Sequence, residues 1–247
     1  MNNLWFSFST SFFAGISTMI GAILIFLPIK KERINEFITF CLAFSISIMI
    51  GISIFDLLPD SIIKISYIYG YLSFLIILIL FILSYFFVKI INRYLKKYEN
   101  NLYKLGILSM ITLIIHNFPE GILTFLSSYS DPKLGIKLAF AITMHNIPEG
   151  IAISVPIYYA TNSRKKAILH SALSGLAEPF GALLAYLFLA KYINETMISF
   201  ILIIVAGLMI TLAIEQMLPE CLKYNKSKYL NIGLVSGVVI VLICFLI

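Results

Sequence analysis

A six-residue motif that occurs twice, deep in apolar sequence, constrains this chain more than any other feature. The first motif, His116–Gly121, reads His-Asn-Phe-Pro-Glu-Gly, and the second motif, His145–Gly150, reads His-Asn-Ile-Pro-Glu-Gly. In each copy the His and Glu are four residues apart and the Asn and Glu three apart, so a helix places all three side chains on one face. Imidazole, carboxylate and amide oxygen directed at one point suit a borderline divalent metal. The motifs therefore predict a metal site built from two helices.

The apolar sequence around the motifs predicts an all-α membrane protein. Hydrophobic residues make up 60% of the chain and charged residues only 12%, whereas about a quarter of a soluble domain is charged. A spanning helix needs about 20 mostly apolar residues. Eight such runs, numbered spans 1 to 8, lie at residues 4–29, 37–58, 67–91, 105–128, 134–160, 168–190, 196–218 and 230–247. We expect one transmembrane domain over residues 1–247, with the first run kept as a span because it is too long for a signal-peptide core.

The basic residues are distributed in step with the spans. Cytoplasmic loops collect Lys and Arg, so the loops that follow spans 1, 3, 5 and 7 are expected to face the cytoplasm, and both termini the outside of the cell membrane. A basic patch for nucleic acid would not alternate in this way, and we expect no nucleic-acid partner. These four loops hold 14 of the 18 basic residues, namely Lys30, Lys31, Arg33, Lys89, Arg93, Lys96, Lys97, Lys104, Arg164, Lys165, Lys166, Lys223, Lys226 and Lys228.

The two motifs are expected to lie at the same depth. At a rise of 1.5 Å per residue, Glu120 is about 12 Å from the outer end of span 4, and His145 is about 16 Å from the outer start of span 5. The hydrocarbon core is about 30 Å thick. Two antiparallel helices joined by a short outer loop therefore place both motifs near the midplane.

A third carboxylate is predicted at that depth. Glu178, followed by Pro179, is about 15 Å from the inner start of span 6. An ionised residue at the centre of a span costs about 2.5–3.5 kcal/mol, so three unpaired carboxylates would cost roughly 8–10 kcal/mol. No Lys or Arg lies at that depth in spans 4 to 6. Protons or metal cations must therefore neutralise Glu120, Glu149 and Glu178.

Acidic residues also occur near the predicted ends of spans 2 and 7. The segment Asp56–Asp60 is expected at the outer end of span 2, and Glu215–Glu220 at the inner end of span 7. Acids at a pore mouth could attract cations. An ordinary helix end, stopped by Pro59 or Pro219, explains them equally well.

The two motifs, together with Ser174–Pro179, resemble the signature of the ZIP family of divalent metal transporters. The likeness is densest between residues 105 and 190. It implies a helical bundle in which spans 1–3 and spans 6–8 form inverted repeats around spans 4 and 5. It also implies import of zinc along with iron, manganese or cobalt. A homodimer is one assembly that we consider, and the sequence does not settle it. The histidine-rich loop that many relatives carry between spans 3 and 4 is absent here.

The resemblance further implies two adjacent metal sites at the midplane, with the motif glutamates bridging them. One site would use His116, Glu120, His145 and Glu149. The other would use Asn117, Glu120, Asn146, Glu149 and Glu178.

Three functions are compatible with such a site. Import needs no ATP, because a divalent cation gains about 4.6 kcal/mol per 100 mV of inside-negative potential, and no phosphate-binding loop is present. A membrane-embedded hydrolase with a two-metal centre would be expected to carry His-Glu-x-x-His or a separate general base, and neither is evident. A metal sensor without transport would bind the ion and show no flux. We expect a transporter and not an enzyme.

Overall fold

The computed structural model describes residues 2–95, 100–189 and 195–246, and within these ranges the regular elements are all helices. The basic residues Lys96, Lys97 and Lys191 lie outside the described residues. The helices are α1 (Asn2–Gly21), α2 (Ile34–Ile52), α3 (Leu58–Tyr69), α4 (Leu72–Tyr94), α5 (Asn101–Ser130), α6 (Pro132–Thr161), α7 (Arg164–Gly175), α8 (Ala177–Leu184), α9 (Glu195–Leu212), α10 (Leu218–Lys223) and α11 (Ser227–Leu246).

The prediction of an all-α bundle of membrane-spanning helices is confirmed. Seven helical stretches in the described part of the chain are long and apolar enough to cross a bilayer, and Ser227–Ile243 is a shorter apolar stretch. Span 2 comprises α2 and α3, span 6 comprises α7 and α8, and span 7 comprises α9 and α10. The remaining spans are α1, α4, α5, α6 and α11.

The predicted end of span 2 is wrong, because helical structure continues past Pro59 to Tyr69 and the acids near this proline lie within the helix. Span 7 continues five residues beyond its predicted end, to Lys223, so Glu220 lies in the last turn of α10. The cause is a π-helical turn before each proline, in which Leu58 donates its N–H to the Ser53 carbonyl, five residues back. A wide turn of this kind allows the chain to pass a residue that has no N–H without ending the helix.

The packing of the helices follows an inverted repeat. Helix α1 packs against α6 as α7 and α8 pack against α5, and α2 packs against α11 as α4 packs against α9. Equivalent residues of the two repeats are 160 positions apart in the sequence. This shift relates Pro59 to Pro219 and the π-helical turn before Pro59 to the one before Pro219. This pattern is the one that the predicted repeats of spans 1–3 and 6–8 around spans 4 and 5 require.

Helices α5 and α6 lie at the centre of the bundle. They form a hairpin in which Asp131 alone separates the two helices, and its side chain accepts a hydrogen bond from the Lys133 N–H at 2.9 Å. The surrounding helices pack large apolar side chains around this hairpin, including the fully buried Leu42 of α2 and Met209 of α9. The hairpin therefore holds the two motifs side by side in the middle of the protein.

Candidate metal centre

The two motifs meet in a cluster of imidazole and carboxylate groups. The Nε2 atom of His145 lies 2.8 Å from Glu120 Oε1, and that of His116 lies 3.2 Å from both Glu120 Oε1 and Glu149 Oε1. All four side chains are buried, since none is more than 5% exposed. His116, Glu120 and His145 each offer one ligand atom within 4.8 Å of one another, which is compact enough to hold one metal ion.

The spacing of these atoms matches a metal shell. Zinc binds imidazole nitrogen and carboxylate oxygen at about 2.0–2.2 Å, so neighbouring ligands of a tetrahedral ion are about 3.4 Å apart. The histidine-to-glutamate separations of 2.8–3.2 Å are slightly shorter. A small outward adjustment of the side chains would bring them to the distances that an ion sets.

Several ligand atoms of the cluster have no hydrogen-bond partner among the described residues. They include both ring nitrogens of His116 and one oxygen each of Glu120 and Glu149. Buried polar groups are nearly always hydrogen-bonded, because an unsatisfied group costs about 1–3 kcal/mol. A bound cation would satisfy one ring nitrogen of His116 together with the carboxylate oxygens that face it.

A second polar group adjoins the first and consists of Asn117, Asn146 and Glu178. All three residues are fully buried. Asn146 donates from Nδ2 to the Ala14 carbonyl at 2.9 Å and also to Glu178 Oε1. Asn146 Oδ1 and Glu178 Oε2 have no hydrogen-bond partner in the described part of the chain. Oxygen atoms are thus available on both sides of this group.

Asn117 joins the second group to the first. Its Nδ2 donates to the Ser174 carbonyl at 3.3 Å. With the amide turned over, the nitrogen would instead donate to Glu149 Oε2 at 3.1 Å and to the Leu113 carbonyl at 2.9 Å. The orientation depends on what lies between Asn117 and Glu149 Oε2. A cation there would favour the first orientation, in which the amide oxygen of Asn117 faces the carboxylate. Glu149 therefore faces His116 with one oxygen and Asn117 with the other.

Glu178 reaches the cluster because of local backbone features in span 6. The helix is interrupted at Leu176, between α7 and α8, where Pro179 cannot donate an N–H to the Gly175 carbonyl. Glu178 follows this interruption and lies within electrostatic range of Glu120 and Glu149. A Cβ atom on Gly121 would overlap the Glu178 carbonyl oxygen. The glycine that ends the first motif is thus what lets α8 approach α5.

The structure brings the seven predicted ligand residues together and leaves other candidates apart. His170, which the motifs do not include, forms a hydrogen bond through Nδ1 with the carbonyl of Lys166 in the first turn of α7, at 2.6 Å. The two acidic segments differ: Asp56 is exposed and within electrostatic range of His116, Glu120 and His145, whereas Glu215 pairs with Lys89 at 2.5 Å.

The carbonyl groups that anchor the two asparagines could not be predicted from the sequence. Ala14 and Ser174 supply them through the main chain, and a main-chain carbonyl has no residue-type signature. A second hidden feature is the hydroxyl support of the motif backbone. Ser11 donates to the Gly121 carbonyl at 3.1 Å, and Ser45 donates to the Pro148 carbonyl at 2.9 Å.

Comparison with known proteins agrees with this geometry. The family model described as ZIP zinc transporter matches residues 100–244. The chain is 38% identical to the zinc transporter ZupT of Oceanobacillus iheyensis, with 100% of this chain and 99% of that protein covered. It is 34% identical to the ZupT of Chlorobium chlorochromatii, covering 99% and 98%, and 35% identical to that of Lysinibacillus sphaericus, covering 98% and 97%. The chain therefore belongs to the ZIP family of zinc transporters, which are membrane transport proteins and not enzymes.

Proposed function

We propose that this protein imports zinc into the cytoplasm through a two-ion site at the membrane midplane. The observation that carries the proposal is the buried cluster of Glu120, Glu149 and Glu178 with unsatisfied ligand atoms beside two histidines. Among the described residues, the ion pairs of these glutamates are with histidine and not with Lys or Arg. Carboxylates in such a place need a positive partner, and a metal cation supplies it.

In this proposal the two polar groups hold two neighbouring ions. His116, Glu120, His145 and Glu149 bind the first ion. Asn117, Glu120, Asn146, Glu149 and Glu178 bind the second. The two motif glutamates are shared between the ions. The contacts of Glu149, which faces His116 on one side and Asn117 on the other, support this sharing.

The ligand types support zinc and also other divalent cations. Imidazole nitrogen suits zinc, iron and copper, while carboxylate and amide oxygen suit harder ions such as manganese. No thiolate is needed, and the buried cysteines Cys41 and Cys221 contact other helices. We therefore include iron, manganese and cobalt with zinc among the transported ions.

Import uses the membrane potential and not a chemical step. Moving a divalent cation toward an inside-negative cytoplasm yields about 4.6 kcal/mol per 100 mV. The buried carboxylates replace the hydration of the ion while it crosses the apolar layer, which removes much of the barrier. The distribution of Lys and Arg supports an orientation with both termini outside the cytoplasmic membrane. One domain, residues 1–247, carries out the whole process, alone or as a homodimer.

Zinc uptake into proteoliposomes tests this function. We expect Glu120→Gln and Glu149→Gln to reduce uptake by at least about 100-fold. Each change removes a negative charge shared by the two ions, and that charge offsets the cost of placing a cation in the low-dielectric interior. Glu32→Gln is the control because Glu32 is exposed and lies between spans 1 and 2. Wild-type uptake in both site variants would overturn the proposal. Zinc binding to wild-type protein without any uptake would indicate a sensor.

A further inference from the structure

The inverted repeat places a particular residue opposite Glu178. Adding 160 to the number of a residue in α1 gives its counterpart in α7 or α8, so Gly15 corresponds to Gly175. The contacts obey this relation, because a Cβ on Gly15 would overlap the Gly175 carbonyl oxygen and a Cβ on Gly175 would overlap the Gly15 carbonyl oxygen. By the same shift, Glu178 corresponds to Thr18.

The local packing confirms that Thr18 and Glu178 occupy equivalent positions. A Cβ on Gly121 would meet the carbonyl oxygen of Glu178, and a Cβ on Gly150 would meet that of Thr18. An added Cβ on Gly15 would be 3.3 Å from the Glu178 Cβ, and one on Gly175 would be 3.2 Å from the Thr18 Cβ. Because both the carbonyls and the Cβ atoms match, the two side chains leave the backbone in equivalent directions.

The asparagines extend the equivalence to the metal centre. Asn146 donates to the Ala14 carbonyl and Asn117, in the first of its two amide orientations, to the Ser174 carbonyl, and these acceptors are again 160 residues apart. Glu178 accepts a hydrogen bond from Asn146. The corresponding position beside Asn117 belongs to Thr18. The second polar group therefore has a carboxylate on one side and a hydroxyl on the other.

The Thr18 hydroxyl has no hydrogen-bond partner among the described residues, although the residue is fully buried. A threonine inside a helix usually donates to a carbonyl three or four residues back, and Thr39 and Thr124 do so here at 2.7 and 2.8 Å. For Thr18 these acceptors would be the carbonyls of Gly15 and Ala14, but its hydroxyl donates to neither. The Ala14 carbonyl accepts from Asn146 Nδ2 and Ser17 Oγ instead. The Thr18 hydroxyl is thus buried without the usual helical partner, beside the polar group that contains Asn146.

We propose that Thr18 completes the second metal position from the side opposite Glu178. Threonine is shorter than glutamate, so its hydroxyl holds a water molecule that binds the ion, and Thr18 acts as a positioning residue. This inference rests on the two-ion function proposed above. It also gives the asymmetry of the repeats a role: three carboxylates leave two divalent ions with one net positive charge, whereas a fourth carboxylate at position 18 would neutralise them and slow their release.

Zinc titration calorimetry on the purified full-length protein tests the role of Thr18 without measuring transport. Thr18→Val keeps the side-chain shape and removes the hydroxyl, and Thr18→Ser keeps the hydroxyl. The control is Thr39→Val, the same change at another fully buried threonine. We expect Thr18→Val to weaken binding of one zinc ion by about 10-fold, in the range for loss of a group that supports a metal ligand. Thr18→Ser and Thr39→Val should bind as the wild type does.

Several outcomes separate the failure of this inference from the failure of the proposed function. Thr18→Val that binds zinc as tightly as Thr39→Val would overturn the role of Thr18 alone. Wild-type protein that binds no zinc would overturn both proposals. Thr18→Asp, which is close to threonine in size, should bind zinc more tightly than wild type and transport it more slowly. Weaker binding by folded Thr18→Asp would contradict the proposal, and if that variant does not fold, the Val and Ser pair decides.

Discussion

The peripheral helix α4 is more apolar than the central hairpin of α5 and α6 but much less buried in protein. The most apolar stretch of α4 has a mean hydropathy of 2.9, and 11% of its residues are buried in protein. The corresponding stretches of α5 and α6 have mean hydropathies of 1.4 and 1.2, and 67% and 61% of their residues are buried. In a soluble protein the more apolar helix would be the more buried one. Here lipid solvates α4, so the polar residues are inside.

The same contrast shows how each region is held in place. Apolar burial gives little driving force between helices in lipid, so close packing of small residues and interhelical hydrogen bonds carry more of the association. The hairpin receives both, since glycines of the motifs contact neighbouring backbones and serines donate to motif carbonyls. Side chains on the outer face of α4, such as Leu83, are more than half exposed. Substitutions should therefore be costly in the hairpin and mild on that face.

The largest expected difference is between two leucine truncations. Leu113→Ala in α5 removes a fully buried side chain and should lower the free energy of unfolding by about 2–5 kcal/mol. Leu83→Ala in α4 removes one that is 56% exposed and should change it by no more than about 0.5 kcal/mol. Thermal unfolding of the two variants in the same detergent would show this, and equal losses would contradict the comparison.

A smaller loss is expected from a methyl group added to the hairpin. Gly121→Ala places a Cβ where the Glu178 carbonyl oxygen lies, and backbone at that point cannot move without displacing α8. We expect a destabilisation of about 1–3 kcal/mol together with weaker zinc binding, because Glu178 would shift away. Thermal unfolding and zinc titration of the same sample measure both effects. A stable variant with normal affinity would show that this close approach is unimportant.

Acidification should weaken zinc binding by as much as Gly121→Ala does, or by less. Histidine and glutamate must lose their protons to bind a metal, and histidine ordinarily titrates near pH 6.5. Lowering the pH from 7.5 to 5.5 therefore favours the protonated, metal-free form, and we expect affinity to fall by about 10-fold or more. Titration calorimetry at several pH values, in buffers of different ionisation enthalpy, would also count the protons released. Affinity that is constant over this range would argue against His116 and His145 as ligands.

The smallest effect is expected at an ion pair outside the hairpin. The Nζ atom of Lys89 in α4 lies 2.5 Å from Oε2 of Glu215, which lies between α9 and α10. Both side chains are more than a third exposed. Pairs of this kind contribute no more than about 1 kcal/mol. Lys89→Gln should therefore leave both zinc binding and thermal unfolding close to wild type. A large loss of uptake in this variant would mean that the pair takes part in the movement of the helices.

Much of this arrangement could be predicted from the sequence because the relevant signals are local. Runs of apolar residues mark the spans, and the spacing of His116 and Glu120 fixes a shared helix face. Comparable distances from the outer loop also place the two motifs at one depth. Each of these inferences needs only helix geometry and the thickness of a bilayer.

Features that depend on contacts between distant segments could not be predicted. The π-helical turn before Pro59 preserves the helix at a proline that, from the sequence alone, could equally well have ended it. The match between Thr18 and Glu178 is also invisible in the sequence, because the two residues are chemically different and only the contacts of Gly150 and Gly121 relate them. Pairing of this kind is decided by tertiary packing.

Zinc K-edge X-ray absorption of the loaded protein tests the central claim most directly, that the two motifs and Glu178 hold the cation. We predict a first shell of nitrogen and oxygen at about 2.0–2.2 Å, with the outer-shell scattering that imidazole produces. Glu120→Gln should reduce the amount of zinc that the protein binds. A sulfur shell at about 2.3 Å, or an oxygen shell without imidazole scattering, would contradict the account.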